Sequence, residues 1–401
     1  MVLAADLGST DAQSDPHGLF AGLREEAGPV VWSQRHRAWL VLAHRAMSDG
    51  FRDRRLSSDR VSGFEAAAAR RPDQFGVVVD LLRGWMVFRD PPVHTALREP
   101  VRAAFTPRRV AALEASVTRQ TEALLDAVAD LGACDLRRVL AQPLPAMVVA
   151  ELLGVPDADR AEFRTWSDRL SRVVFAVTGE GVDAESAAEA AASFAAYFSE
   201  LIEHYRRHPA DNLLTVLGTR SGGNQLRDSE IVGAAALLFF AGHETTTTLI
   251  SNAVWCLLTN PAELDRLRGR KDLWPSAIEE LMRYEGPAKV MVRKAVSPFV
   301  WEGVEIAAGD SVFLVIAAAN RDPTVFAEPD RLDVGRHPNP HLGFGWGIHH
   351  CLGAALARLE AQVVLSRLFT RFPRLRPTTD APKWGGGVLG RAVVSVPVEV
   401  R

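Results

Sequence analysis

Hydrophobic and polar residues follow three different patterns along the chain, and each pattern predicts a different kind of secondary structure. Between residues 14 and 56, short β-branched and aromatic stretches such as Trp39–Leu42 lie among turns and predict a small sheet. From about residue 92 to residue 284, apolar residues recur at helical spacing and predict a mostly helical body. Residues 285–401 mix short strands, loops and a final helix from about Leu352. The predicted fold class is therefore mainly α with minor β.

The longest helical pattern runs from Asp228 to Cys256. It is about 40 Å long at 1.5 Å per residue, and it is apolar on nearly every side through its first half, which is typical of a helix that crosses the middle of a molecule. At its centre, residues 241–248 place a glycine, an acid and four hydroxyl side chains in these apolar surroundings. Polar groups in a core need a reason to be there, so this segment is a candidate functional site.

Length and composition limit the possible classes of protein. The 401 residues contain no Pro/Gly/Ser-rich linker and no repeat, which predicts a single domain over 1–401 even though single cores rarely exceed about 250–300 residues. The 46 Lys and Arg nearly balance the 49 Asp and Glu, so charge gives no argument for nucleic acid or a membrane surface. The N-terminus lacks the pattern of a signal peptide, and the most apolar run, Ile231–Gly242, has the length of a core helix. We therefore expect a cytoplasmic protein.

The three cysteines lie far apart and form no C-x-x-C pair, which argues against a disulfide framework or a structural zinc site. Cys134 and Cys256 are expected to be small buried hydrophobic residues. Cys351 differs, because it follows a glycine-dense loop and precedes a predicted helix. The N–H groups at the start of a helix lower the pKa of a thiol, so Cys351 is the candidate thiolate.

Two common motifs can be excluded by single residues. A dinucleotide-binding G-x-G-x-x-G pattern would need glycine where Ile348 or His350 stands. The pair His243-Glu244 begins an H-E-x-x-H zinc-protease pattern, but the second histidine position is Thr247. Neither a dinucleotide fold nor a zinc protease is therefore supported.

The cysteine loop resembles the haem loop of the cytochromes P-450, F-G-x-G-x-H-x-C-x-G, within residues 343–353. The six fixed positions are occupied by Phe344, Gly345, Gly347, His349, Cys351 and Gly353. The chain thus resembles a soluble bacterial cytochrome P-450 over nearly its whole length. This resemblance implies a haem b bound through the Cys351 thiolate, lying between the long central helix and the helix that follows the cysteine.

Two further motifs match the same family. The E-x-x-R pair of the family is here Glu280 and Arg283, and its P-x-R-F segment is here Pro329–Leu332, with leucine in place of phenylalanine. The resemblance implies that Arg331 joins the buried pair and that the three side chains support the haem loop. Four residues match positions that hold the haem propionates in the family: His94, Arg98, Arg293 and His349.

The centre of the long helix resembles the oxygen-activation motif of the family, A-G-x-[DE]-T. Here it reads Ala241-Gly242-His243-Glu244-Thr245. We expect the Thr245 hydroxyl to bond the carbonyl of Ala241, and Gly242 to let the helix open locally. Glu244 and Thr245 are the predicted catalytic residues, because an acid next to an alcohol can order water and deliver protons during oxygen activation.

The resemblance implies a monooxygenase that hydroxylates, epoxidises, demethylates or couples a small organic substrate, plausibly in bacterial specialised metabolism. The chain has no fused reductase domain, so the expected electron donors are a ferredoxin and ferredoxin reductase. Three basic residues, Arg102, Arg108 and Arg109, are candidates for the docking surface. The alternatives are a peroxide-driven peroxygenase, which would not need Glu244 and Thr245, and a non-enzymatic haem-binding protein.

The substrate itself cannot be read from the sequence, because the pocket of the family comes from variable segments. Here these are residues 57–85, 168–206 and 385–389. By position relative to the motifs, the residues expected near the substrate are Leu237, Phe240, Ala241, Ala288 and Lys289. Lys289 would either meet a polar substrate group or reach solvent or a propionate, because an unpaired ammonium in a core is costly.

Overall fold

The computed structural model describes residues 2–3, 6–9, 12, 14–70, 72–103, 105–174, 183–219, 225–387 and 389–400. The chain forms two compact units. The larger unit contains residues 1–57, 114–144 and 245–401, and the smaller unit contains residues 58–113 and 145–244. Each unit is described separately below.

Helices make up most of the smaller unit and outnumber strand residues in the larger unit, as the predicted fold class requires. The α-helices are Pro16–Ala27, His44–Gly50, Val61–Arg70, Pro72–Arg83, Val93–Arg102, Pro107–Ala112, Glu114–Leu131, Pro143–Leu153, Arg160–Val174, Ala184–Arg207, Leu213–Gly218, Asp228–Leu258, Pro261–Gly269, Trp274–Glu285, Ile316–Ala319 and Ala354–Arg371. The longest of these helices, Asp228–Leu258, is called the central helix below, and Ala354–Arg371 is called the cysteine helix. No helix in the described ranges is both long and apolar enough to span a membrane.

Thirteen short strands are described, and most of them belong to the larger unit. They are β1 Val2–Leu3, β2 Val30–Ser33, β3 Ala38–Val41, β4 Leu56–Ser57, β5 Ala133–Asp135, β6 Val290–Ala295, β7 Phe299–Trp301, β8 Val304–Ile306, β9 Ser311–Val315, β10 Arg376–Pro377, β11 Trp384–Gly385, β12 Ala392–Val393 and β13 Pro397–Glu399. Six of them form one sheet in the order β1-β2-β3-β9-β6-β4. The predicted N-terminal sheet is thus completed by strands from the C-terminal part of the chain.

Alternating side chains of the six-stranded sheet enter two different cores, as the two-residue period of a strand requires. Val30 and Val41 belong to one buried cluster together with Met47 and Leu314. Their neighbours, such as Leu40, belong to the other cluster. The terminal strands β10 and β13 pair as predicted, and β5 from the middle of the chain adds to their edge. This sheet joins the segment after the cysteine helix to the segment after the helix Glu114–Leu131.

Two predictions about the helices need adjustment. The cysteine helix begins at Ala354, two residues later than predicted, because Gly353 occupies its N-cap position. Residues 61–70 and 72–83, which the hydrophobic pattern leaves unassigned, each form a helix. The central helix is confirmed, and it extends two residues beyond the predicted end at Cys256.

Candidate functional site

The cysteine loop is a tight turn held by its own backbone. The N–H of Cys351 donates to the carbonyl of Phe344 at 2.9 Å, and the N–H of His350 donates to the carbonyl of Gly347 at 3.1 Å. Gly345 and Gly347 have φ angles of 68° and 74°, a region that favours glycine. A Cβ at position 347 would lie 2.8 Å from a backbone oxygen of the helix before β4. Both glycines are therefore required by the backbone, as the sequence predicts.

Of the three cysteines, Cys351 is the exposed one. Burial raises the pKa of the Cys256 thiol to about 12, and burial also raises the pKa of Cys134. Those two thiols are therefore protonated at neutral pH and inert. The expectation that Cys134 and Cys256 are structural is consistent with these positions, since Cys256 is buried and Cys134 is half-buried.

The guanidinium of Arg358 lies close to Cys351. The pKa of Arg358 is raised, mainly by hydrogen bonds to Glu279 and also by the negative charges of Glu279 and Cys351. The guanidinium lies 4.3 Å from the ring centroid of Phe344, and it donates to both Glu279 oxygens at 2.6 and 2.8 Å. A nearby guanidinium favours the thiolate form of a cysteine. Arg358 therefore adds to the effect of the helix that follows.

Glu279 is the anion that fixes this guanidinium. Burial alone would raise the pKa of Glu279, but hydrogen bonds from Arg358 and His341 outweigh burial and lower the pKa to about 2. His341 Nε2 lies 3.0 Å from the carboxylate. Glu279 and Arg358 were not predicted from the sequence, although Arg358 lies in the second turn of the helix that follows the cysteine loop, where a cation near the thiol could have been sought.

The Glu280–Arg283 pair is wholly buried, with distances of 2.7 and 2.8 Å between guanidinium and carboxylate. Arg336, not Arg331, supplies the second guanidinium, and its Nε donates to both Glu280 oxygens at 3.1 Å. The prediction for the Arg331 side chain is therefore wrong. That side chain is exposed and pairs with Glu328, while only its backbone carbonyl accepts from Arg283 and Arg336.

This Glu280 cluster also binds the segment that leads into the cysteine loop. Glu280 accepts from the backbone N–H of Asp333 at 2.9 Å and from the Asn339 amide at 3.1 Å. Arg283 donates to the carbonyls of Asn320 and Pro329. A carboxylate with this many donors fixes the course of residues 329–339, which supports the predicted structural role of Glu280 and Arg283.

Two of the four predicted propionate residues, Arg293 and His349, lie in the larger unit. The Arg293 guanidinium lies 5.9 Å from the ring centroid of Phe51. The same ring would touch a Cβ at Gly345 at 3.8 Å. Phe51 thus joins Arg293 to the loop that carries His349. Both side chains are half-buried, so each keeps part of its surface accessible.

The other two predicted propionate residues, His94 and Arg98, lie on one helix of the smaller unit, Val93–Arg102. Burial lowers the pKa of His94, and the positive charge of Arg98 lowers it further against the opposing charge of Asp90. His94 and Arg98 are therefore close neighbours, as their spacing of four residues predicts. His94 is 2% exposed and Arg98 is half-buried.

The middle of the central helix carries a small exposed stripe. Ala241 and Thr245, four residues apart, are exposed in a helix that is otherwise largely buried, and Glu244 is half-buried beside them. The expected opening at Gly242 is not present, because the helix runs unbroken from Asp228 to Leu258. Gly242 has a steric role instead, since a Cβ there would lie 2.7 Å from Val149.

Within the smaller unit, the segment before Val93 packs directly on the central helix. A Cβ at Gly84 would lie 2.8 Å from the Cα of Gly233, so only glycine allows this contact. The contact brings the Trp85 ring to 5.0 Å from the ring of Phe240. Leu237 is also buried, at 6% exposure. One predicted pocket segment thus meets a predicted substrate residue.

Lys289 has a different environment from the one predicted. Its ammonium lies 2.5 Å from Glu285, and only 6% of the residue is exposed. Solvent, a propionate and a substrate group are therefore not its partner in this structure, because the buried carboxylate satisfies its charge. Three parts of the predicted pocket segments, residue 71, residues 175–182 and residue 388, lie outside the described residues.

The residues present suit a haem held by sulfur. An exposed thiol stands beside a guanidinium and at the entrance to a helix, which is the environment that stabilises a thiolate ligand. Half-buried basic side chains in both units supply donors of the kind that bind carboxylates, as haem propionates require.

Comparisons with known proteins point the same way. The family model described as Cytochrome P-450 matches residues 183–385. The chain is 41% identical over 399 residues to the mycinamicin IV hydroxylase/epoxidase of Micromonospora griseorubida, covering 96% of this chain and 97% of that protein. It is 36% identical over 409 residues to the 6-deoxyerythronolide B hydroxylase of Saccharopolyspora erythraea, covering all of both. The crystal structure of P450BioI with an acyl carrier protein superimposes with a TM-score of 0.90 at 32% identity, covering 98% of this chain and 100% of that chain.

Proposed function

The chain belongs to the cytochrome P-450 family and is a haem-thiolate monooxygenase, and from this premise we propose that it hydroxylates or epoxidises a polyketide-derived macrolide. One observation carries the site assignment, namely that Cys351 is an exposed thiol beside the guanidinium of Arg358. The substrate class is suggested by the relatives, since two of them are a hydroxylase/epoxidase of mycinamicin IV and a hydroxylase of 6-deoxyerythronolide B.

In this proposal the protein residues have separate tasks. When bound through the Cys351 thiolate, haem supplies oxygen activation with two electrons and two protons. His94, Arg98, Arg293 and His349 donate hydrogen bonds to its propionates. The Glu280 cluster and the Glu279–Arg358 pair hold the loop so that the thiolate keeps its orientation.

Glu244 and Thr245 would hold and deliver the protons that this chemistry needs. The Thr245 hydroxyl orders water on the exposed stripe of the central helix, and the Glu244 carboxyl supplies protons to that water. Ala241 keeps the neighbouring position small. Leu237, Phe240 and Ala288 provide an apolar surface of the kind that would suit the carbon skeleton of a macrolide.

The test compares two ways of driving the reaction. With mycinamicin IV or 6-deoxyerythronolide B as the probe, we expect product from the wild-type enzyme with NADPH, ferredoxin and ferredoxin reductase. Thr245→Ala should lower that product by about a hundredfold, because the hydroxyl that orders the proton-carrying water is lost, while reducing equivalents are still consumed. Thr245→Ser keeps the hydroxyl and should retain most of the activity. Product is measured by mass spectrometry, and NADPH consumption by absorbance.

Either of two results would contradict this account. If Thr245→Ala formed as much ferredoxin-driven product as the wild type, the hydroxyl would have no part in proton delivery. If peroxide alone supported faster turnover than reduced ferredoxin, the enzyme would be a peroxygenase, and the ferredoxin would be unnecessary.

P-450 monooxygenases take their electrons from redox partners, and for this chain we propose a ferredoxin that binds beside the cysteine loop. Trp346 and Ile348 in that loop are 43% and 52% exposed. The guanidinium of Arg52 lies 5.2 Å from the ring centroid of Trp346. Exposed aromatic and aliphatic side chains next to an arginine are the usual composition of an interface centre. The earlier candidates, Arg102 and Arg108, are also exposed.

Charge-reversal variants distinguish docking beside Trp346 from docking at Arg102 and Arg108. Arg52→Glu is expected to slow reduction of the haem by ferredoxin about tenfold at low salt, because the charge attraction to an acidic partner is lost, while chemical reduction by dithionite stays unchanged. Arg374→Glu makes the same charge change at another exposed arginine and serves as the control. The rates are measured by stopped-flow absorbance. An equal loss in Arg374→Glu, or a loss confined to Arg108→Glu, would rule out docking at Trp346.

A further inference from the structure

A buried group of polar side chains in the larger unit has no part in the chemistry described so far. Its centre is Glu285, the last residue of the helix Trp274–Glu285, which is 5% exposed. The carboxylate lies 2.5 Å from Lys289, 3.0 Å from Arg391 and 3.2 Å from His17. The Glu285 carboxylate thus contacts three side chains, and two of them, His17 and Arg391, come from distant parts of the chain.

The charges of this group fix the protonation of its members. Burial alone would raise the pKa of Glu285, but Lys289, His17 and Arg391 hold it well below its ordinary value. Burial lowers the pKa of His17 to about 4 despite its hydrogen bond to Glu285, so this histidine is neutral at pH 7. Burial also lowers the pKa of Lys289, against the opposing effect of the Glu285 charge. The Glu285 carboxylate is therefore the single anion that faces both Lys289 and Arg391, and its loss would leave them without a counter-charge.

Asn252 attaches the same group to the central helix. Its amide donates to the carbonyl of Glu285 at 3.0 Å and to the carbonyl of Arg391 at 3.2 Å, and it accepts from the N–H of Val393 at 2.9 Å. Asn252 is seven residues beyond Thr245, so it lies about two turns and 10 Å further along the same face of the helix. The face of the central helix that carries Thr245 thus also carries Asn252, which binds this polar group.

The backbone completes the connection to two predicted substrate segments. Ala288 and Gly390 form an isolated antiparallel bridge. The N–H of Lys289 donates to the carbonyl of Leu389 at 3.0 Å. Residues 286–290 and 389–391 are therefore tied to each other, and through Glu285 and Asn252 they are tied to the central helix.

We propose that Asn252, Glu285, Lys289 and Arg391 form a clamp that positions the segments 286–290 and 389–391 and thereby sets the size of substrate that the enzyme accepts. The members of the clamp are positioning residues, because their polar groups are satisfied by one another. The inference rests on the proposed function, in which Ala288 borders the substrate. It assigns Lys289 a role in selectivity that does not require contact with the substrate.

Lys289→Met is the most informative variant. It removes one of two cations and leaves Glu285 paired with Arg391, so the fold is expected to survive. Glu285→Gln would instead leave two buried cations without an anion. The probes are imidazole and 4-phenylimidazole, two haem-binding azoles of different bulk, and their dissociation constants are measured from the Soret shift of the holoenzyme.

With the clamp loosened, the ratio of affinities is expected to shift about fivefold in favour of 4-phenylimidazole, which corresponds to about 1 kcal/mol. Lys289→Arg preserves the ion pair and should keep the wild-type ratio. Leu125→Ala, a fully buried position on the helix Glu114–Leu131, is the control for general destabilisation and should change both affinities equally.

A ratio within twofold of wild type in Lys289→Met, or a shift against the bulkier azole, would overturn the clamp. A matching shift in Leu125→Ala would overturn it as well, because the effect would then follow stability alone. These outcomes are separable from failure of the proposed function. Wild-type protein that binds no azole and shows no thiolate spectrum would contradict the haem site itself.

Discussion

Cys351→Ser is expected to remove the long-wavelength Soret band that the reduced wild-type protein gives with carbon monoxide. The band reports thiolate ligation, and serine cannot replace the cysteine, because an aliphatic hydroxyl has a far higher pKa than a thiol and stays protonated near neutral pH. Monooxygenase turnover should fall by at least about a thousandfold, equivalent to about 4 kcal/mol of activation free energy. The measurements are the carbon monoxide difference spectrum and product formation with ferredoxin.

Cys134→Ser is the matched control, because it makes the same atomic change at a half-buried thiol outside the loop. It should keep both the spectrum and the activity. A haem-loaded Cys351→Ser protein with the wild-type spectrum would exclude Cys351 as the ligand, and the monooxygenase mechanism derived from it would have to be withdrawn.

Glu280→Gln is expected to have the largest effect on stability, about 3–5 kcal/mol in the free energy of unfolding. The change removes the charge that compensates Arg283, which is buried at 2% exposure, and Arg336. It also weakens the hydrogen bonds that hold residues 333–339 before the cysteine loop. Urea unfolding of the holoenzyme, together with haem content per protein, measures both consequences.

The two arginines near this cluster give a matched pair. Arg336→Leu should cost about 2 kcal/mol or more, because charged hydrogen bonds to Glu280 and to backbone carbonyls are lost. Arg331→Leu should stay within about 0.5 kcal/mol, because its side chain is exposed and pairs only with Glu328. If the Arg331 variant were the more damaging of the two, the assignment of Arg336 to the buried cluster would be wrong.

The sequence was most informative where short spacing alone determines geometry. The loop around Cys351, the pair Glu280–Arg283 and the neighbours His94 and Arg98 each depend on residues within about ten positions of one another, and the structure places each as the spacing predicts. The central helix was predicted for the same reason, since its apolar surface extends over many turns.

Spacing cannot show partners that are distant in the chain. The partners His17 and Arg391 of Glu285 lie near opposite ends of the chain, so no spacing indicates them. Lys289 is only four residues beyond Glu285, but the helix ends at Glu285, so helical spacing did not indicate this pair either. The assignment of Arg331 to the buried cluster failed for a related reason. Both follow Glu280 at a long interval, and only the course of the intervening backbone decides which guanidinium reaches the carboxylate.

The order of strands in the six-stranded sheet has a consequence for the newly made chain. The hairpin of β2 and β3 leaves the ribosome early, yet β3 pairs in parallel with β9, which is made much later. At ordinary rates of synthesis the hairpin waits on the order of tens of seconds with one edge unpaired. Closing such a long loop is also intrinsically slow. Cys351 emerges later still, so haem can be captured through sulfur only after nearly the whole polypeptide has been translated.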